Sequence, residues 1–582
     1  MKKAALLLLF CCFCKASWSQ LPSCDWVNAP TGSGNIASLA YAVTYDQQGS
    51  SYFLGAYNNF GGVLDVDPSS AVAPLNGFGM FVAKIYANGQ LAWLAPIESD
   101  QTCMRTPRAI CCDPSGNVYI TGSIGSAPAD FDPSPSDTAL LTPVNNFDMF
   151  IAKYDTDGQY LWANLFGSTA AETGNGIIAD ANFVYVTGTA GCYTDFDPSA
   201  GVWEPVIYFN CNAGFIARYT SGGQFSWEHT LQGTSVIQGF ADFTSLAFDQ
   251  NHHLLVCGKY SGTVDFDPGP NYDTLSNGNN PGYTNGVFAR YDTAGNYLMA
   301  KKLPCTGTAM ASPASIIADH ADNILICGSF NGPVDFDPGA GVHLLAPVYS
   351  TSYYDGFIVK YDANGNYLWS GQLSSPGGVA VYDLAVNAHD DIFSCGAFMD
   401  TVDFDFGAGT SLLYEQSGIG TLDAFFAKYD AAGNFSYAFS IASFGYDIMA
   451  AVDSYQDRFV TAGYFSGIND FDPSGATLTV NPAITNGNNH FVAQYNDSAS
   501  IAGIGAAENV PGVFAGPNPA GDYLNIRGGN FTQYSLINSL GQECGAGTFA
   551  SAIDVHQLSP GVYFLLLSDM SGRNSELKFV KQ

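Results

Sequence analysis

Charge is scarce in this chain, and positive charge is scarcest. Only 12% of the 582 residues are charged, and 19 Lys and Arg stand against 52 Asp and Glu, a formal net charge of −33. So acidic a surface repels nucleic acid and anionic membranes, which excludes both as expected partners and favours cations, divalent metals among them. Long apolar runs are missing too. Beyond the first residues nothing is apolar enough to span a bilayer as a helix, so no transmembrane segment is expected. Beyond residues 1–19 no Cys-x-x-Cys pair or Cys/His set has zinc spacing. A Gly-x-Ser-x-Gly elbow, a phosphate loop and a His-Glu-x-x-His helix are equally absent, so no catalytic residue and no cofactor is nominated.

Glycine and aromatics, by contrast, are abundant: 64 Gly, 33 Tyr and 41 Phe, the composition of many short strands joined by tight turns. They are arranged in a unit that recurs seven times, clearest from Ser315 to Trp369. Four short apolar or alternating runs (SIIAD, NILICGSF, GFIVKYD, NYLW) are separated by turn-rich pieces, the pattern of a four-stranded meander. An Asp-x-Asp-Pro stretch sets the period. It begins at Asp65, Asp130, Asp195, Asp265, Asp335, Asp403 (where Phe406 replaces the Pro) and Asp470, at intervals of 65, 65, 70, 70, 68 and 67 residues. A third-strand cation keeps step at Lys84, Lys153, Arg218, Arg290, Lys360 and Lys428, with Gln494 in the seventh copy.

The two ends of the repeat array are complementary. Trp26 matches the fourth-strand residue of later copies (Trp93, Trp162, Trp227, Met299, Trp369 and Tyr437), while the seventh copy has no fourth strand after FVAQYND. The strand missing at the end is the extra strand at the beginning. This predicts an all-β fold, a seven-bladed β-propeller over residues 20–500, with the N-terminal strand closing the last blade. First-to-second and third-to-fourth connections are short Gly/Asn-bearing hairpin turns on one face. The connections that start with Asp-x-Asp-Pro are long and emerge on the other, where binding groups are expected.

Residues 1–19 have two lysines ahead of an apolar run from Ala4 to Cys14, the form of a cleaved secretory signal peptide. Cys11, Cys12 and Cys14 lack the small residue expected before a lipidated cysteine. Residues 501–512 lack periodicity and read as a linker, and from 513 to 582 a different strand pattern predicts a small C-terminal β-sandwich.

Two resemblances follow from these residues. The unit resembles the bacterial β-propeller repeat called SBBP, through VYITGS (Val118 to Ser123), FIAKYD (Phe150 to Asp155) and GQYLW (Gly158 to Trp162). That family implies the fold and no single activity. The tail resembles the type A C-terminal sorting domain of the type IX secretion system. Its matching features are Pro517-Asn518-Pro519, Tyr523 to Ile526, Leu540-Gly541, Gly561-Val562-Tyr563 and the basic ending Lys578 to Lys581. The resemblance implies a Bacteroidota-type bacterium, secretion machinery as a partner of residues 513–582, and release from the cell or display on the outer membrane.

The Asp-x-Asp-Pro pairs are the most distinctive polar feature. Residues i and i+2 of a strand face the same way, so both carboxylates project together. The favoured reading is structural, with one carboxylate capping loop N–H groups or pairing with the third-strand cation. The other reading is calcium, held by Asp65, Asp67, Asp130, Asp132, Asp195, Asp197, Asp265, Asp267, Asp335, Asp337, Asp403, Asp405, Asp470 and Asp472. The full calcium loop, with a third Asp and a Gly, is absent, and a motif in every unit suits architecture better. Cys257, Cys327 and Cys395 share one position before a second-strand Gly and read as small core side chains. Cys192 and Cys211 bracket a long loop and are the disulfide candidates. His252-His253 reads as exposed turn sequence. Trp203, Tyr349, Tyr353 and Tyr354 lie in long loops, where they either pack or offer contacts.

Three functional classes remain. The first is an exported, non-catalytic binding or structural module, a monomer with an unidentified protein or polysaccharide ligand on the long-loop face. The second is a calcium-dependent adhesin or carbohydrate-binding protein. The third is a polysaccharide-degrading enzyme, which needs two carboxylates at a unique location.

Overall fold

The computed structural model describes residues 21–497 apart from 34–35, 68, 70–72, 145–146, 200, 206, 208–211, 234–238, 279–282, 350–352, 417–419, 444 and 483–486. Beyond these it describes 514–516, 523–527, 531–538, 543–549, 551–558, 561–569 and 574–581. The leader, the linker 501–512, Cys211, Pro517-Asn518-Pro519 and Leu540-Gly541 therefore lie outside the described residues.

Every regular element among the described residues is a strand, and the chain divides into two compact units, 1–497 and 498–582. In the larger unit each of the first six repeats supplies the four main antiparallel strands of one sheet. The fifth has Ala311–Ala318, Ile324–Phe330, Asp355–Tyr361 and Tyr367–Leu373. The seventh has three strands of its own, Ile448–Tyr455, Arg458–Phe465 and Asn489–Asn496, and its fourth is Ser23–Asn28. The register there pairs Trp26 with Gln494 and Val27 with Ala493. Seven apolar cores lie between consecutive sheets. Tyr52, Met80 and Ile97 of the first sheet pack with Ile120 and Phe150 of the second, and so on in turn. The last core joins Phe53, Phe81 and Ile85 of the first sheet to Val460, Ala462 and Val492 of the seventh. The first strands of neighbouring sheets also touch in this order, and that of the seventh touches that of the first.

Polar staples reinforce each junction. The fourth-strand Trp reaches the third-to-fourth turn of the next sheet: the indole N–H of Trp93 donates to the Thr156 carbonyl at 3.0 Å, that of Trp162 to Ser221 at 3.2 Å, and that of Trp369 to Ala431 at 3.4 Å. Trp26 does the same to Ala87 at 3.2 Å, across the junction of the seventh and first sheets. The turn glycine lies against that ring. Gly158, at φ +80°, would carry a Cβ 2.6 Å from the Trp93 indole, so both its conformation and its neighbour exclude a side chain.

The third-strand cations act beside the tryptophans. They sit at the hairpin-turn end of each sheet, so they do not meet the Asp-x-Asp-Pro carboxylates, which start the connection at the opposite end. Lys360 instead pairs with Asp319 of its own first turn at 2.8 Å and donates to the Ala431 carbonyl of the next sheet at 2.8 Å. Lys84–Asp46 (3.3 Å), Lys153–Asp113 (3.8 Å), Arg290–Asp249 (3.1 Å) and Lys428–Asp391 (2.8 Å) repeat the pairing. Arg218 departs: its guanidinium lies 4.2 Å from the Phe183 ring centre and donates to Thr293 O at 2.7 Å. Gln494 spans the last junction uncharged, donating to Asp25 at 3.1 Å and to Ala87 O at 3.3 Å.

In the smaller unit the strands form two antiparallel sheets, one of three strands and one of four. Leu524, Ile526 and Ile553 of the first pack with Leu536, Leu565 and Leu567 of the second in one core.

Candidate ligand-binding channel

The long connections have one geometry in all seven copies. The first aspartate's Oδ1 accepts the backbone N–H of the second and of a residue eight or nine positions on, which draws the loop closed. For Asp335 the donors are Asp337 (3.1 Å) and His343 (2.8 Å). Asp65, Asp130, Asp195, Asp265, Asp403 and Asp470 bind Ala73, Ala139, Trp203, Asp273, Ser411 and Leu478 in the same way, at 2.8–3.0 Å. The second aspartate caps the N–H two residues later, as Asp337 does for Gly339 at 2.8 Å. Asp67, Asp132, Asp197, Asp267, Asp405 and Asp472 repeat this for Ser69, Ser134, Ser199, Gly269, Gly407 and Ser474. The intervening Phe is buried in six copies, and in five of them the hydroxyl of the third-strand Tyr donates to its carbonyl, Tyr361 to Phe336 at 3.0 Å; the Tyr495 hydroxyl of the seventh copy does not. The carboxylates are thus bound to their own loops, one pair per sheet. Among the described residues no group of three or more His, Cys, Asp or Glu is placed to hold a metal ion.

The other singled-out residues fall in several settings. Cys192 is disulfide-bonded, and its expected partner Cys211 lies outside the described residues. Cys257, Cys327 and Cys395 are buried free thiols, and burial pushes the Cys257 thiol up to about 12, which keeps it protonated and inert. His252 and His253 are less free than exposed turn residues. His252 stacks on Phe248 and meets Asp180 at 3.2 Å, and His253 meets Asp249 at 3.0 Å. Trp203 tilts over Phe225 and donates to Glu228, while Tyr349, Tyr353 and Tyr354 stand half exposed.

A site that the sequence did not announce lies where the seven first strands meet. Each carries a β-bulge at the same level, marked by a register shift against its second strand. The extra residues are Tyr41, Arg108, Asn175, Thr244, Ala314, Tyr382 and Ala450. All seven line one cavity of about 360 Å³ that touches every first strand. A bulge re-aims a side chain out of the strand's alternation, which is how one position in each sheet comes to face this space. The cause is visible on the second strand. Its glycine (Gly55, Gly122, Gly188, Gly258, Gly328, Gly396 or Gly463) sits where a Cβ would overlap the first strand's carbonyl oxygen, so only glycine lets the bulged backbone approach.

The bulge residues share a place and not a chemistry. Asn175 and Thr244 are tied to the next sheet through the Phe243 and Pro313 carbonyls at 2.7 and 2.9 Å. Burial raises Tyr41 and Tyr382 above the ordinary phenol range, so both remain hydrogen-bond donors at neutral pH. Arg108 is exposed. Farther along the strands, toward the hairpin turns, stand two carboxylates with no counterpart in other copies. Asp383 accepts the N–H groups of Leu384 (2.9 Å) and Val452 (3.0 Å), and burial raises its pKa to about 6. Asp453, also raised by burial, accepts Tyr45 N–H at 2.8 Å and the Thr44 hydroxyl at 3.1 Å. Each stitches its own sheet to the next.

Comparison with known proteins separates the two units. Residues 516–582 match the family described as Secretion system C-terminal sorting domain, and this tail marks the chain for type IX export to the cell surface or beyond. The chain is also similar to an uncharacterised WD repeat-containing protein of Acanthamoeba polyphaga mimivirus, 25% identical over 441 residues, 66% of this chain and 31% of the relative. The chain thus spans about a third of that relative's length. Solved structures similar to it include an ulvan lyase described as a new polysaccharide lyase family (TM-score 0.38, 12% identity, 81% of this chain and 97% of the other). Two more are a protein of unknown function from Dyadobacter fermentans (0.33, 9%, 82% and 97%) and an α-L-arabinofuranosidase from Fusarium graminearum (0.28, 11%, 82% and 98%).

Proposed function

We propose that residues 20–500 are a seven-bladed β-propeller of SBBP-like repeats, closed by the strand around Trp26, that works outside the cell as a non-catalytic binding module. Its ligand is taken at the axial channel, whose lining runs from the bulges toward the hairpin turns. One observation carries this reading. Architectural side chains repeat from sheet to sheet, whereas the seven bulge positions around the axis carry five residue types (Tyr and Ala twice, Arg, Asn and Thr once) while the bulge itself is kept. Positions that the scaffold aims inward but does not specify are where a ligand is recognised on such a frame.

A specific observation also favours the enzyme reading. Asp383 and Asp453 are unique carboxylates in one cavity, and Asp383, raised to about 6, has the character of a general acid. Their backbone hydrogen bonds across sheets give both a structural task, which places binding first. Titration of the purified exported chain against neutral and acidic polysaccharides, with and without calcium, tests the module. Saturable binding with no new reducing or unsaturated ends supports it, and glycan cleavage lost in Asp383→Asn moves the enzyme reading ahead. Binding that requires calcium and is lost on substituting the Asp-x-Asp-Pro pairs identifies the adhesin.

A further inference from the structure

The larger unit holds five arginines, and four of them are engaged. Arg105 donates to Ser99, Asp100, Cys103 and Asn58, Arg458 pairs with Asp25, and Arg218 and Arg290 staple neighbouring sheets. Arg108 alone has no hydrogen bond or ion pair among the described residues, and it is exposed on the wall of the channel. The carboxylate of Asp242 lies within the field of Arg108 but makes its ion pair with Lys259, at 3.5 Å. In a chain of net charge −33, a guanidinium left unpaired at the axis stands out from a surface that is otherwise short of cations.

Its setting adds chemistry. The bulges of the flanking sheets hold Tyr41 on one side and Asn175 on the other, and Tyr382 lies in the same ring. The hydroxyls of Tyr41 and Tyr382 have no hydrogen-bond partner among the described residues, and neither is sealed from solvent. Ala314 and Ala450 leave room at the same level. A cavity of about 360 Å³ with a few convergent polar groups falls within the range of small-ligand sites, about 300–1,000 Å³. A guanidinium fork binds the paired oxygens of a carboxylate or sulfate, and free phenol hydroxyls suit a hydroxylated ring.

We propose that this channel binds an acidic saccharide, with Arg108 receiving its carboxylate or sulfate and Tyr41 and Tyr382 hydrogen-bonding to its hydroxyls. The proposal rests on the binding-module reading and gives it a ligand class. The long-range field of the protein opposes such a ligand, so recognition depends on the local contact at Arg108, and added salt, by screening that field, weakens binding less than it would at an exposed cation on a basic surface.

The test is calorimetric titration of the full exported chain with an oligogalacturonate, a sulfated galactan oligomer and a neutral cello-oligosaccharide. The expected result is that one of the two acidic ligands binds at least about tenfold more tightly than the neutral one. Which of them binds identifies the anion. Arg108→Gln should remove that preference, Arg108→Lys should restore part of it, and Tyr382→Phe should weaken binding of all hydroxylated ligands alike. Arg108 is exposed, so these variants are expected to fold, and unchanged circular dichroism and melting confirm it. A neutral ligand binding as tightly as the acidic ones, or acidic binding unchanged in Arg108→Gln, overturns the proposal and leaves the binding-module reading standing. No binding of any of the three overturns both.

Discussion

Replacing Asp335 separates a capping carboxylate from a charge needed for its own sake. Its Oδ1 accepts two backbone N–H groups, from Asp337 at 3.1 Å and from His343 at 2.8 Å, and both bonds use that single oxygen. Asp335→Ala strips both donors of their partner at the neck of the loop. Each such bond contributes about 0.5–1.5 kcal/mol net, so the pair is worth roughly 1–3 kcal/mol. Asp335→Asn keeps an amide oxygen in the same place and should retain most of that, whereas an ion pair or a calcium site would lose it. Hydrogen exchange at the His343 amide reads the bond directly. At 1.4 kcal/mol per tenfold, Asp335→Ala should lower its protection about 5- to 150-fold, with Asp335→Asn close to wild type. Equal losses in Ala and Asn, or protection in the wild type that rises with added calcium, would refute the capping explanation.

Four further outcomes are expected. Gly328→Ala should destabilise the larger unit by about 1–3 kcal/mol or more, because its Cβ would overlap the Ser312 carbonyl and the neighbouring backbone. Gly222→Ala, whose nearest neighbour is a hydroxyl 3.7 Å away, should stay within about 0.5 kcal/mol in the same urea titration. Lys360→Met should cost about 3–5 kcal/mol by leaving buried Asp319 without its cation, checked by the same titration. Burial between the seventh and first sheets holds His490 down to about 3, from an ordinary value near 6.5. Its contribution to stability is therefore present above pH 6.5 and lost as pH falls toward 3, so melting temperatures should decline over that window less steeply in His490→Phe.

Much of the fold was legible in the sequence because its devices repeat. Asp-x-Asp-Pro, the turn glycines and the fourth-strand Trp recur at fixed spacing, and Trp26 carried enough of that signature to be assigned to the same sheet as Phe491. The partner of the third-strand cation was not legible. It lies partly on a turn about 70 residues away in the next sheet, as with Lys360 and Ala431, and no local pattern announces it. The channel was harder still. Tyr41, Arg108 and Ala450 have nothing chemical in common, and a bulge breaks the alternation by which a strand's faces are read. The one trace was the glycine in the middle of every second strand. It stands directly after Cys257, Cys327 and Cys395, and a lone strand glycine does not by itself tell a bulge from ordinary close packing. Asp383 and Asp453 each occur in a single copy, so the periodicity carries no mark of them.

The joining of the strand Ser23–Asn28 to the seventh sheet of the larger unit is tested most directly by a disulfide trap between residues 27 and 493, which face each other across Ser23–Asn28 and Asn489–Asn496. Val27→Cys with Ala493→Cys should cross-link under mild oxidation, seen as one linked peptide pair by mass spectrometry. Val27→Cys with Ala427→Cys, the matching position in the sixth sheet, should not. Absence of the first link, or equal yields of both, would contradict closure of the ring through the N-terminal strand.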